Sequence, residues 1–149
     1  MKIKHKNMMV DCLNMLYSLD KKHKWNYNYW AARATEKESV DCGTSCCAVG
    51  WSIQMLASWQ EEGIHLSTQD DGPTYFPLYK GRMLYNESEE ALGISRDEFN
   101  YAFMGSTLPD IDDTAMSCLP GLPGSLTIIQ VAKRVTKVLE RHGYEVYEV

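Results

Sequence analysis

The sequence predicts a mainly α protein: a single compact helical domain spanning residues 1–149, with a small hairpin or extended loop in the middle. Three observations carry that prediction. Apolar residues return at three- and four-residue spacing in three separated stretches, the signature of half-buried helices. Capping patterns punctuate those stretches. Between Gly63 and Leu84 the helical period gives way to loose alternation broken by Pro73 and Pro77, which suits strands and turns.

The first helix is expected over about 6–19. Met9, Cys12, Leu13, Leu16 and Leu19 make one stripe. The start, MKIKHKNMMVDCLNMLY, is basic and then apolar like a signal peptide, but Asp11 and Asn14 interrupt the apolar part and no small-residue cleavage site follows. It reads as a mature N-terminal helix. DKKHKWNYNYW then interleaves lysines with Trp25, Tyr27, Tyr29 and Trp30. Such a stretch stacks nucleobases in some proteins and more often supplies core or interface aromatics with polar tips.

A signature helix is expected over about 44–59, capped by Asp41 or Thr44. Cys47, Trp51, Met55 and Trp59 fall at i, i+4 steps, so this helix should be central, with that face against the first and last helices. The hairpin or loop follows over 63–84, with a turn at Asp71-Gly72. Two short helices are expected within 87–105. Asn86 with Glu89 and Ser95 with Glu98 form capping-box patterns, and Gly105 closes the second helix. A linker punctuated by prolines and glycines runs from Ser106. The last helix, over 127–142, opens on a Thr127–Gln130 capping box with Leu126 and Val131 as a hydrophobic staple. It carries the stripe Ile128, Val131, Val135, Val138 and Leu139, and Gly143 ends it.

Composition narrows the function classes. The chain has 44% apolar and 23% charged residues, in the globular range, and its apolar runs are too short to span a bilayer. Five cysteines, an odd number that includes adjacent Cys46 and Cys47, point to reduced thiols in a cytoplasm. Residues 1–38 hold eight Lys or Arg against four acids, and residues 39–149 hold seven against sixteen. An acidic body argues against broad phosphate-backbone binding. It suits a discrete protein partner with a basic surface, or simple solubility.

The densest chemistry lies in DCGTSCCAVGW, residues 41–51. Four readings compete. Cys42 or Cys47 is a nucleophile at a helix N-terminus, where free N–H groups lower a thiol pKa, with His65 or His142 as its base. Cys42, Cys46 and Cys47 with a histidine hold zinc, although adjacent helical side chains diverge by about 100°. Cys42 and Cys47 sense redox state, at a spacing wider than Cys-x-x-Cys. Or the motif is a packing device in which Gly43 makes a tight turn, Gly50 admits another backbone and Trp51 fills the space beside it. The structural reading weighs most, so no catalytic residue, metal or cofactor is assigned. In LPDIDD, clustered Asp110, Asp112 and Asp113 suit a divalent cation, but the glycine and glutamate of a calcium loop are missing. A solvated acidic loop is the simpler reading, and with Asp70 and Asp71 it offers docking points for a basic partner.

The motif is also familiar. CGTSCCAVGW resembles the C-G-T-x-x-C-x-A-G-W signature of a set of small bacterial and phage proteins. Cys42, Gly43, Thr44, Cys47, Gly50 and Trp51 match it, with Val49 in place of the usual alanine. Leu92, Gly93, Ile94, Glu98 and Phe103 match a second segment, L-G-[LI]-x-x-x-E-x-x-x-x-F. TIIQVAKRVTKVL matches a threonine-led C-terminal helix, with isoleucines where a proline often stands. The resemblance implies a fold and a phage or mobile-element setting, and no reaction. The expectation is therefore a phage-encoded, non-enzymatic protein of the host cytoplasm that binds and inhibits a host or defence protein. A Cys/His enzyme of acyl or thiol chemistry is the alternative, and a nucleic-acid binder using Lys21 to Trp30 is a third class.

Overall fold

A computed structural model describes residues 1–19, 24–25, 31–32, 45–46, 48–68, 74–111 and 128–145. The fold is mainly α. Helix α1 (Ile3–Ser18) buries Met8, Met9, Cys12, Leu13, Met15 and Leu16 along the expected stripe, and adds His5 to it. It starts three residues earlier than the apolar spacing indicates, because Lys2 is extended and Lys6 N–H already bonds the Lys2 carbonyl at 3.0 Å.

The signature region departs from expectation. Instead of one helix over 44–59 there is a two-residue strand β3 (Ser45–Cys46), then α2 (Ala48–Met55) and α3 (Ala57–Glu62). Leu56 is extended between the two helices, with φ −106° and ψ 113°. The carbonyls freed at the end of α2 are met by the Gln60 amide, which donates to Ile53 at 2.9 Å and Gln54 at 3.1 Å. The break divides the i, i+4 row. Trp51 and Trp59 are buried, whereas Met55 is 43% exposed.

The central helix is α1. It packs against α2, α3, α4 (Ser88–Leu92) and α6 (Ile128–Arg141). Residues 48–62 run antiparallel along it: Ser52 Oγ meets Cys12 Sγ at 3.3 Å, Ser58 Oγ donates to Asp11 at 2.7 Å, and Trp59 Nε1 donates to the Met8 carbonyl at 2.9 Å. Lys4 pairs with Glu62 at the near end of α1. On the other side α6 buries Val131, Val135, Val138 and Leu139, as its stripe predicts. Burying each such side chain stabilises by roughly 1.5–3 kcal/mol.

The expected hairpin is present as β4 (Ile64–Thr68) against β5 (Thr74–Tyr79), in register from Ile64↔Tyr79 to Thr68↔Tyr75. The Asp71-Gly72 turn lies outside the described residues. A second hairpin joins β5 to β6 (Arg82–Met83) through Lys80 and Gly81, with φ 53° and 76°, the positive pair of a type I′ turn. The sheet extends beyond the predicted hairpin. Strand β2 (Ala31–Ala32) pairs β5 antiparallel, β3 pairs β2 antiparallel, and β1 (Lys24–Trp25) pairs β3 in parallel. Pro77 sits on β5 between the pairings to β6 and to β2. Its missing donor falls where one neighbour ends and the next has not begun.

A 3₁₀ turn (Leu84–Asn86) leads into α4. Asn86 lies in that turn and Glu87 precedes α4 without a side-chain cap, so the Asn86–Glu89 capping box does not form. The second one does. Ser95 Oγ accepts from Glu98 N–H at 3.1 Å and the Glu98 carboxylate accepts from Ser95 N–H at 2.9 Å, opening α5 (Arg96–Met104). Gly105 closes that helix at φ 79°, and Gly143 follows α6 at φ 85°. Thr127 and Leu126 lie outside the described residues.

Candidate functional site

The region richest in convergent chemistry lies where the first turn of α1 meets the α4–α5 junction and the end of α6. A concavity of about 340 Å³ is lined there by Met1, Lys2, His5, Glu89, Gly93, Ser95, Glu98 and His142. Its geometry begins with Gly93, the left-handed C-cap of α4 (φ 71°). A Cβ at this glycine would stand 2.7 Å from His5 Nδ1, so only glycine both turns the chain and admits the imidazole.

His5 is 4% exposed. Its Nε2 lies 3.1 Å from the Glu90 carbonyl, which can only accept, so Nε2 carries the hydrogen and donates. Burial, helped by neighbouring Lys4 and opposed by the Glu90 bond, lowers the pKa below its ordinary value. The neutral ring then presents a lone pair at Nδ1, and that atom is buried with no hydrogen-bond partner among the described residues. An acceptor left so costs about 1–3 kcal/mol.

Glu98 is the second anchor. It is 5% exposed, and the capping box fixes it at the start of α5. His142 Nε2 lies 3.0 Å from each of its carboxylate oxygens, and Arg141 Nη1 lies 3.2 Å from Oε2. Arg141 Nε also reaches Asp110 at 3.0 Å. The α5 N-terminus is therefore occupied by the chain's own carboxylates, Asp97 and Glu98. Glu89 lines the mouth, exposed and without an ion pair among the described residues.

The sequence-predicted positions fall elsewhere, with one exception. His142 belongs to this site, on Glu98. His65 is exposed on β4, its Nδ1 3.3 Å from the Gly63 carbonyl. Gly50 and Trp51 are buried in α2. Cys42, Gly43, Thr44 and Cys47, with Asp70, Asp71, Asp112 and Asp113, lie outside the described residues. Asp110 is exposed and pairs with Arg141.

The start of α2 and His142 flank different ends of α1. Ser52 sits at the level of Cys12 and Ala48 lies a turn farther on, whereas Tyr144 bonds the Met1 carbonyl at 3.4 Å. The levels of Cys12 and Lys2 are ten residues apart, roughly 15 Å along the axis. Comparison of the chain with protein-family models, curated proteins and solved structures finds no match. The arrangement therefore stands on its own geometry.

Among the described residues no three His, Cys, Asp or Glu side chains converge as metal ligands, and no helix is long and apolar enough to cross a membrane. A second concavity of about 390 Å³, between Asp11, Asn14, Met15, Ser18, Met55 and Leu56, contains no histidine. His5 and Gly93 are the residues that sequence reasoning missed in their roles. His5 continues the α1 stripe three residues before Met8, and a stripe counted on apolar residues alone leaves it out.

Proposed function

We propose that the protein is a non-enzymatic interaction protein, of the phage-encoded kind its signature resembles, that binds and inhibits a host or defence protein in the host cytoplasm. The partner presents a basic surface. One observation carries the reading: residues 84–111 hold six carboxylates against a single arginine, and of the six Glu98 is buried and Glu87, Glu90 and Asp110 sit beside Arg82, Lys80 and Arg141. Glu89, Glu90, Asp97 and Asp110 are exposed there, while Phe99, Tyr101, Ala102 and Phe103 of α5 are buried. A fixed acidic face steers a basic partner and sets its register. The cysteine motif, on this reading, serves the fold.

The test is capture of a single stoichiometric partner from host lysate, followed by titration of the purified pair. Glu90→Lys with Asp97→Lys should weaken binding at least tenfold, and the wild-type affinity should fall steeply with salt. Cys42→Ser should retain the partner. Binding or inhibition lost with Cys42→Ser in a folded protein would transfer the function to the thiol. Affinity indifferent to the charge reversals would remove the acidic-face reading.

A further inference from the structure

We propose that the first turn of α1 is a latch, held shut by the neutral His5 ring packed over Gly93 and released when that ring takes up a proton. The release is local: the turn lifts off the α4–α5 junction while the rest of α1 and α5 stay folded.

The seat has no place for an imidazolium. His5 is 4% exposed, its Nε2 donates to the Glu90 carbonyl at 3.1 Å, and its Nδ1 is buried with no hydrogen-bond partner among the described residues. A Cβ on Gly93 would stand 2.7 Å from Nδ1, so ring and backbone are in close contact where a second proton would sit. A buried cationic N–H without an acceptor is costly. The charged groups around the ring supply no acceptor. On its own element Lys2 and Lys4 oppose the charge, and the Met1 ammonium belongs to the same lining. Glu62 on α3 is taken by Lys4, Glu90 on α4 by Lys80, and Glu98 on α5 by Arg141 and His142 of α6. Glu89 on α4 lines the concavity and is exposed, within reach of a ring that has left its seat.

The turn also has little else to hold it. Helix α1 opens without a side-chain cap and without an acid in its first turn. Lys2, Lys4 and Lys6 stand at the end where the helix dipole disfavours cations, and Ile3 is 74% exposed. Among the described residues its remaining polar ties lie at or near the surface: Lys4 with Glu62, Lys6 over the Tyr144 ring at 5.5 Å, and the Tyr144 hydroxyl on the Met1 carbonyl at 3.4 Å. From Met8 onward the helix is anchored in the core. Burial first, then Lys4 and Lys2, outweigh the Glu90 bond and Glu62, so the latched ring titrates below its ordinary value of 6.5. The released ring titrates at that value, and opening is favoured as pH falls through the interval between them.

The test is solvent-exchange NMR on the full-length protein from about pH 7.5 to about pH 5.5, read as protection factors, with the His5 and His142 rings titrated in the same samples. Lys6 N–H, bonded to the Lys2 carbonyl, reports the latch, and Phe99 N–H, bonded to the Ser95 carbonyl, reports the body. Protection at Lys6 should fall roughly fivefold or more as His5 titrates, while Phe99 holds. His5→Gln keeps a donor for Glu90 and takes up no proton, so its Lys6 protection should stay level. His142→Gln should leave the wild-type fall intact. The wild-type comparison of Lys6 with Phe99 decides by itself if His5→Gln fails to fold. Constant Lys6 protection while His5 protonates, a fall shared equally by Phe99, or the same fall in His5→Gln would each overturn the latch. Loss of the fall in His142→Gln would overturn it too, by assigning the switch to the other histidine.

Discussion

His5 and Gly93 form a pair in which each residue explains the other. Gly93 takes φ 71° to end α4, and His5 occupies the space its side chain would need. Gly93→Ala should therefore cost about 2–4 kcal/mol, combining left-handed strain with overpacking. Gly63→Ala is the control. That residue also caps a helix, at φ 95°, but a Cβ there meets nothing within 4 Å, so the cost should be strain alone, about 1–2 kcal/mol. Urea unfolding of both variants separates the two contributions.

The same histidine makes stability depend on pH. Its folded pKa is depressed from about 6.5, so the unfolded chain binds the extra proton first. No penalty exists above the unfolded pKa, and stability falls as pH drops below about 6.5 toward the folded value. The groups that act on the ring are Lys4 and Lys2, which disfavour its charge, and Glu62, which favours it. His5→Phe should flatten the stability profile between pH 7 and 5 relative to wild type, measured by urea midpoints. A profile equally steep in the variant would assign the dependence to other groups.

Among the elements, α5 shows local sequence and tertiary packing acting in one direction. The Ser95–Glu98 pattern closes its N-terminus and Gly105 its C-terminus, and the same Glu98 then receives His142 and Arg141. Ser95→Ala should cost about 1 kcal/mol from the lost cap and loosen Glu98, so the His142 ring nitrogens should also shift by NMR. A stability loss with His142 unmoved would mean that the capping box does not orient the cluster. The Asn86–Glu89 pattern has the same letters and forms no box, because residues 84–86 are already a 3₁₀ turn. A capping pattern states what a terminus can do, and the neighbouring chain decides whether a terminus is there. In the signature region, apolar residues at helical spacing run through Leu56 without interruption, yet the helix breaks. Gln60 caps the freed carbonyls from the following helix, a contact that periodicity does not encode.

For the molecule as a whole, α1 is the hub. The 48–62 segment packs along one side, α6 along another, and α4 meets its first turn through His5. The acidic 84–111 face is thereby fixed to a rigid support, which is what the salt-sensitive docking and the charge-reversal variants above test. The mainly α class, the stripes of α1 and α6, the central hairpin and the α5 caps were all legible in the sequence, because each depends on contacts spaced within a few residues. Residue type and resemblance also singled out His142 and Glu98. What only the tertiary structure decided is their meeting, 44 positions apart in sequence, and the burial of His5 over Gly93. It also decided the two-residue strands that extend the sheet and the choice of α1 over the signature helix as the centre. Those outcomes depend on which distant surfaces bury one another, and burial between segments far apart leaves no local period to read.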